Sequence, residues 1–230
     1  MAYHGAMVPG AGSAVRELDQ LTIRKLSVGP MDNNAYLLTC AISGEQLLVD
    51  AAAEPERLLA LLREGSGSAA LATVVTTHRH ADHVGALESV VAVTGAVVAC
   101  GAPDADALGV PVGRRLLHGD VLTLGHVQLE VIALRGHTPG SVALAYREPH
   151  RTSAAESRPD RVHLFTGDSL FPGGPGRTTS PDAFASLMDD LEERVFDRFD
   201  DSTWVYPGHG RDTTLGAERP ELVGWRARGW

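Results

Sequence analysis

The sequence predicts a mixed α/β layered domain, on three observations. First, 230 residues with 43% hydrophobic composition suffice for one well-filled core without approaching the composition of a membrane protein. Second, many short β-branched or apolar runs are interspersed with helical patterns. Third, hairpin-like neighbours such as "VQLEVIAL" and "SVALAYR" argue against a purely parallel sheet.

In chain order, residues 1–20 are rich in Gly and Ala without periodicity, which predicts a mobile N-terminal arm ahead of a single domain over 21–230. The runs "LTIRKLSV", "NAYLLTCAI" and "QLLVD" then read as strands, bounded as strands are by turn residues. "AEPERLLALLREG" is a helix with Pro55 in its first turn, Leu58, Leu59, Leu61 and Leu62 as the apolar side and Gly65 at its end. "LATVVTT" is a buried strand, and a second helix is expected to begin near His83 and carry Val84, Leu87, Val90 and Val91 inward. "AVVAC", "VQLEVIAL", "SVALAYR", "RVHLFTGD" and "STWVYPG" are further strands. Residues 148–160, "EPHRTSAAESRPD", form a polar, Pro-punctuated connection expected to be an exposed loop with no catalytic task. In the last long helix Ser180 is the N-cap, Pro181 and Asp182 suit the first turn, and Phe184, Leu187, Met188, Leu191 and Val195 follow the helical period.

Charge and cysteine content narrow the function. A net charge of -9 repels a phosphate backbone, so nucleic acid is not an expected partner. Cys40 and Cys100 are two isolated thiols in apolar runs, too few for a disulfide framework and expected to be buried. No run approaches the ~20 apolar residues of a membrane span, and no secretory leader pattern is visible, which predicts a soluble cytoplasmic protein with a small-molecule substrate.

The chemistry concentrates in "THRHADHVG". His78, His80, Asp82 and His83 fall within six positions, directly after a strand. His78 and His80, two apart, project to one side of an extended chain as ligands of one metal must, whereas Asp82 and His83 point elsewhere and suit a second metal. Clustered imidazoles repel on protonation unless a metal or catalytic task keeps them neutral. Three more strand ends deliver His137 in "RGHTPGS", Asp168 in "TGDSLF" and His209 in "YPGHG", each beside Gly, where a tight turn can aim one side chain into a shared cleft.

The ordered set HxHxDH, GHTPGS, GDSLF and YPGHG resembles the metallo-β-lactamase superfamily over about residues 26–209, and within it is similar to compact glyoxalase II-type hydrolases. The resemblance implies an αββα sandwich of two mixed sheets with outer helices. It implies His78, His80 and His137 as ligands of one divalent ion, Asp82, His83 and His209 as ligands of a second, and Asp168 as the bridge. Asp50 matches a position that supports the ligands from behind. The implied cofactors are two divalent ions, zinc first, with iron or manganese as alternatives. The implied reaction is attack by a water, acidified from a pKa of ~16 toward ~7 and assisted by Asp82 and Asp168, on a thioester such as S-lactoylglutathione. In the loop "FPGGPGRTT", Phe171 and Arg177 are the candidates for substrate contact, Arg177 equally as a brace of the loop. Ser141 stands where many glyoxalase II-like proteins carry another His.

The same motifs are compatible with other chemistries. An iron-dependent persulfide dioxygenase would use His78, His137 and Asp168 as a facial triad. A lactonase or phosphodiesterase would use both ions, and a binding module would use neither. Tyr146 and Tyr206 are read as core. His4, His118, His126, His150 and His163 are read as structural or solvated, and Trp225 and Trp230 as packing on their own domain.

Overall fold

The computed structural model describes residues 3–8, 10–66 and 71–229. A first sheet comprises β1 (Ala14–Glu17), β2 (Leu21–Val28), β3 (Asn33–Cys40), β4 (Gln46–Val49), β5 (Leu71–Thr76), β6 (Val97–Gly101) and β7 (Arg114–Leu116) in sequential order. Its first four strands are antiparallel, and β4 to β7 are parallel. A second sheet is built from β8 (Val121–Leu124), β9 (Val127–Ala133), β10 (Val142–Arg147), β11 (Val162–Gly167), β14 (Trp204–Pro207) and β15 (Thr213–Thr214), in the order β15-β14-β11-β10-β9-β8. A short hairpin, β12 (Leu170–Phe171) and β13 (Gly174–Pro175), stands apart. The helices are α1 (Pro55–Ser66), α2 (Ala81–Val84), α3 (Leu87–Thr94), α4 (Pro181–Leu191), α5 (Leu215–Glu218) and α6 (Leu222–Arg228).

Three apolar layers follow from the period-2 alternation of strands and the stripes of the helices. Ile23, Tyr36, Leu38 and Val75 of the first sheet meet Leu129, Val131, Leu144 and Phe165 of the second. The alternate residues Leu37, Leu48, Val74 and Val98 face outward onto Leu58, Leu61 and Leu62 of α1 and Leu87 and Val90 of α3. On the other side Ile132, Leu164 and Val205 pack against Leu187, Met188 and Leu191 of α4 and Trp225 of α6. The molecule is therefore the expected αββα sandwich. Among the described residues no helix is long and apolar enough to cross a membrane.

The elements depart from expectation in three places. The N-terminal segment is tied down where an arm was expected: Ala14–Glu17 pairs with β2, Tyr3 is buried, and its hydroxyl donates to Asp212 Oδ2 at 2.7 Å. The hairpin with β2 is local but only four residues long on the β1 side, and the Tyr3 anchor is long-range, so neither leaves a periodicity to read. The second helix starts at Ala81 and breaks at Gly85–Ala86, because Ala86 N–H donates to Ala51 O at 3.0 Å. A Cβ on Gly85 would also lie 2.7 Å from Ala52 O, so the chain passes too close to that strand end for a regular helix with side chains. In the 148–160 loop, Glu148 and Ser157 are buried. The N-cap of α4 is as expected, with Ala183 N–H donating to Ser180 Oγ at 3.1 Å. Cys40, Cys100, Tyr146, Tyr206 and Trp225 are all buried, and Trp230 lies outside the described residues.

Candidate metal centre

All seven candidate ligands lie just beyond strand C-termini on one edge of the sandwich. His78, His80, Asp82 and His83 follow β5, His137 follows β9, Asp168 follows β11 and His209 follows β14. The two sheets touch at this edge: Val142 N–H donates to Thr77 O at 2.9 Å, and a Cβ on Gly167, itself at φ +50°, would lie 2.4 Å from Thr77 Oγ1. Gly is required there by both the left-handed backbone and the close approach. Because β11 and β14 are parallel, their ends coincide, and Gly208 N–H donates to Gly167 O at 2.8 Å.

The side chains converge in two overlapping groups. His78, His80 and His137 offer donor atoms within 4.8 Å of one another, and so do Asp82, His83 and His209. His78, His83 and Asp168 form a third such set between them. Asp168 Oδ1 lies 3.2 Å from His83 Nε2, while Oδ2 lies 3.4 Å from His209 Nε2 and 3.8 Å from His137 Nε2. Its two oxygens thus reach both triads.

Ring orientation is set from behind, by groups outside the seven. Asp50, buried and at φ +58°, accepts from Thr77 N–H at 2.7 Å, from Thr77 Oγ1 at 2.8 Å and from His83 Nδ1 at 2.8 Å. Asp tolerates that left-handed backbone better than most residues. A carboxylate only accepts, so the Thr77 hydroxyl spends its proton on Asp50, and the His78 Nδ1 at 3.1 Å must donate to Thr77 Oγ1. One carboxylate therefore fixes the tautomer of a ring in each triad. His137 Nδ1 is engaged by Arg177 O at 2.7 Å and His209 Nδ1 by Met31 O at 2.9 Å. Asn33 Nδ2 donates to Asp82 Oδ2 at 2.9 Å. In the sequence Asp50 carries a signal as a strand-ending carboxylate, and Thr77 by adjacency to His78. Asn33 and the Met31 carbonyl carry none.

With Nδ1 occupied, Nε2 is the nitrogen left for the centre. The Nε2 atoms of His78 and His137, and Asp168 Oδ1, are buried without a hydrogen-bond partner. Orphaned buried lone pairs are costly unless something absent from the coordinates meets them, and a donor set of imidazoles and carboxylates fits divalent ions. Electrostatics point the same way. Burial and the neighbouring His83 hold the His78 imidazole far below its ordinary range, so it is neutral. Burial also opposes charge on His83, but Asp50 and Asp168 outweigh it and push that ring up to about 10. Two carboxylates that stabilise an imidazolium this strongly make a place for a cation, which competes for the same nitrogen. Burial works against the Asp168 carboxylate, yet His209 and His83 hold it well below the usual carboxylate range.

The sequence matches the metallo-beta-lactamase superfamily over residues 28–209. The chain belongs to this superfamily. Hydroxyacylglutathione hydrolase of Cereibacter sphaeroides is 36% identical over 160 residues, covering 70% of this chain and 55% of that protein. The chain thus spans about half the length of that relative. Among solved structures, ETHE1 from Myxococcus xanthus is 27% identical with a TM-score of 0.71, over 88% of this chain and 84% of that one. TTHA1623 in a di-iron-bound form is 32% identical with a TM-score of 0.62, over 85% and 96%.

The two candidate substrate residues separate. Phe171 is half-buried with its ring centroid 6.3 Å from that of His209, beside the centre. Arg177 contributes its carbonyl to His137, while its exposed side chain lines a separate cavity of about 250 Å³ with Arg228 and Phe184. His4, His118, His126 and His150 are exposed. His163 is buried between Glu148 Oε1 and Tyr206 Oη, at 2.8 Å from each.

Proposed function

We propose that the chain is a binuclear metal-dependent hydrolase of acyl thioesters, with S-lactoylglutathione as the reference substrate. The observation that carries the reading is the pairing of two three-residue donor groups with Asp168 reaching both. In this reading His78, His80 and His137 hold one ion, Asp82, His83 and His209 hold the other, and Asp168 lies between. Such ions supply an acidified water and polarise the scissile carbonyl. Zinc is the first expectation. The di-iron form of the 32% identical TTHA1623 makes iron the alternative.

The chain's own residues do the rest. Asn33 occupies Asp82 Oδ2 and leaves Oδ1 to receive the proton of the attacking water. Asp50 and Thr77 keep His83 and His78 in the tautomers that turn Nε2 toward the centre. Phe171 covers the His209 side and limits solvent there. A thiolate whose thiol has a pKa near 8.5 leaves with little protonation, so no dedicated acid is needed on the leaving-group side. The 36% identity to a hydroxyacylglutathione hydrolase supports the thioester class.

A second reading is favoured by the likeness to ETHE1: a persulfide dioxygenase with one iron on His78, His137 and Asp168. It leaves Asp82, His83 and His209 without a task, which ranks it second. Elemental analysis of purified protein, coupled to a panel of thioester, lactone, phosphodiester and persulfide substrates, decides. Two ions per chain and thioester turnover lost on chelation are expected. Inert thioesters would overturn the reading, and oxygen uptake with glutathione persulfide would install the rival.

A further inference from the structure

On the open side of the first triad lies a cavity of about 440 Å³, walled by Arg79, His80, Arg135, His137, Thr179 and Ser186 among others. Two of these are candidate ligands and two are arginines, and none of the described residues that line the space is a carboxylate. In a chain of net charge -9, a cleft with cationic walls beside a metal centre runs against the general surface and gathers anions locally.

Each arginine has a buried acid behind it, hydrogen-bonded to the Arg135 guanidinium and only ion-paired with that of Arg79. Asp190, 1% exposed, accepts from Arg135 N at 2.8 Å, Nε at 2.9 Å and Nη2 at 2.6 Å. Arg135 Nη1 has no hydrogen-bond partner among the described residues. Asp190 also lies 3.3 Å from Arg194 Nη2, so this carboxylate is shared between two cations, with Glu193 and Asp189 acting on Arg135 more weakly. Asp104, fully buried, accepts from Arg79 N at 3.1 Å, Thr138 Oγ1 at 2.5 Å and Gly140 N at 3.0 Å. Its nearer approach to the Arg79 side chain is 3.7 Å, to Nε, an ion pair without a hydrogen bond. The Arg79 guanidinium therefore keeps its donors for something else. An arginine oriented by a buried carboxylate, with donors to spare, is prepared to take a planar anion with little further loss of freedom.

We propose that Arg79 and Arg135 form an anion subsite beside the metal centre that takes a carboxylate carried by the thioester substrate. The proposal rests on the thioesterase reading and names its substrate class: thioesters with an acidic group close to the scissile carbonyl. That carboxylate sits either on the acyl chain or on the thiol, and the recognising chemistry is the same. The subsite binds and orients only. In the hydrolysis, the water oxygen forms the new C–O bond, the C–S bond breaks, and the sulfur leaves as thiolate while the water's proton passes to Asp82 and then to solvent.

The test compares three esters on metal-replete protein: S-acetyl-N-acetylcysteamine, which is neutral, S-glutaryl-N-acetylcysteamine, anionic on the acyl side, and S-acetyl-mercaptopropionate, anionic on the thiol side. Wild type is expected to favour at least one anionic ester by roughly tenfold or more in kcat/KM, carried by KM and shrinking at high salt. The favoured arm identifies the side. Arg79→Gln and Arg135→Gln should each reduce the anionic-over-neutral preference by roughly tenfold, with metal content retained. Arg151→Gln, on an exposed loop, should keep it. Equal rates on charged and neutral esters, or variants that lower all three in parallel, would overturn the subsite. If no thioester is hydrolysed, the reaction reading fails, and calorimetric titration of glutarate decides the subsite alone. Binding weakened by both substitutions at unchanged metal content supports it, and equal binding by all three proteins overturns it.

Discussion

Asp50→Asn exchanges one oxygen for an amide and leaves volume and backbone preference intact, since Asn also tolerates the φ of +58° found here. Its consequence follows from counting protons. Thr77 N–H can still donate to the remaining oxygen. The new NH₂ takes the place of Oδ2, where the Thr77 hydroxyl and His83 Nδ1 both arrive at 2.8 Å. Both must now accept. His83 gives up its Nδ1 proton and carries it on Nε2, and the Thr77 hydroxyl turns its proton toward His78 Nδ1 at 3.1 Å, which moves that ring's proton to Nε2 as well. One substitution thus inverts two tautomers and aims two N–H groups into the centre.

Outer hydrogen bonds of this kind are worth 10–100-fold in metal affinity, roughly 1.4–2.8 kcal/mol each. Because His78 and His83 belong to different triads, both ions should weaken together. Competition against a chromophoric chelator, with metal content measured by elemental analysis, reads this directly. Circular dichroism should report the same fold. An Asp50→Asn protein that binds two ions with wild-type affinities would refute the tautomer argument.

Two further outcomes follow. Gly208→Ala places a Cβ 2.0 Å from Asp168 Oδ1 and 2.8 Å from His83 Cε1. Asp168 must move by an ångström or more, with loss of about a hundredfold in kcat/KM and reduced metal stoichiometry, and retention of both ions and full turnover would contradict it. The buried His163 gives a pH dependence remote from the centre. Burial, helped by Arg161 and Arg16 against the pull of Glu148, holds its imidazole down at about 4, whereas the unfolded chain protonates near 6.5. The folded pKa is depressed, so this contribution is complete above pH 6.5 and is lost as pH falls toward 4, to a total of about 3 kcal/mol. Urea unfolding at stepped pH should show the slope, and His163→Gln should flatten it; a variant with the wild-type slope would show that other groups carry it.

The sandwich and the seven donors were legible because both rest on local signals. Period-2 runs such as "LATVVTT" bury alternate residues on the two faces of a sheet, and Val74 and Val75 do fall in different layers. HxHxDH places four donors within six residues. What stayed illegible is long-range. The N-terminal segment looks formless because its anchor, Asp212, lies 209 residues from Tyr3. Helix continuity past Gly85 depended on the approach of Ala51 and Ala52 from another strand end. Arg177 is a substrate-contact candidate by its place in the loop after Asp168, yet it reaches His137 through a backbone carbonyl, which any residue supplies. Arg79 sits between two candidate ligands in the sequence, and only the wall it shares with Arg135 suggests a binding task.

The origin of the donors explains why so many polar groups can be buried at one edge. The first sheet contributes His78, His80, Asp82 and His83, and the second contributes His137, Asp168 and His209. Neither sheet holds a complete triad. Each triad takes two members from the first sheet and one from the second, and the His209 ring is in turn oriented by Met31 O from the first sheet's β2–β3 connection. The centre therefore exists only when the sheets are docked. Ions that bind the docked state and not the separated sheets add their binding free energy to the packing of the core. Such a linkage would offset the desolvation of three unpartnered donor atoms, His78 Nε2, His137 Nε2 and Asp168 Oδ1, which a purely apolar edge would never have had to bear.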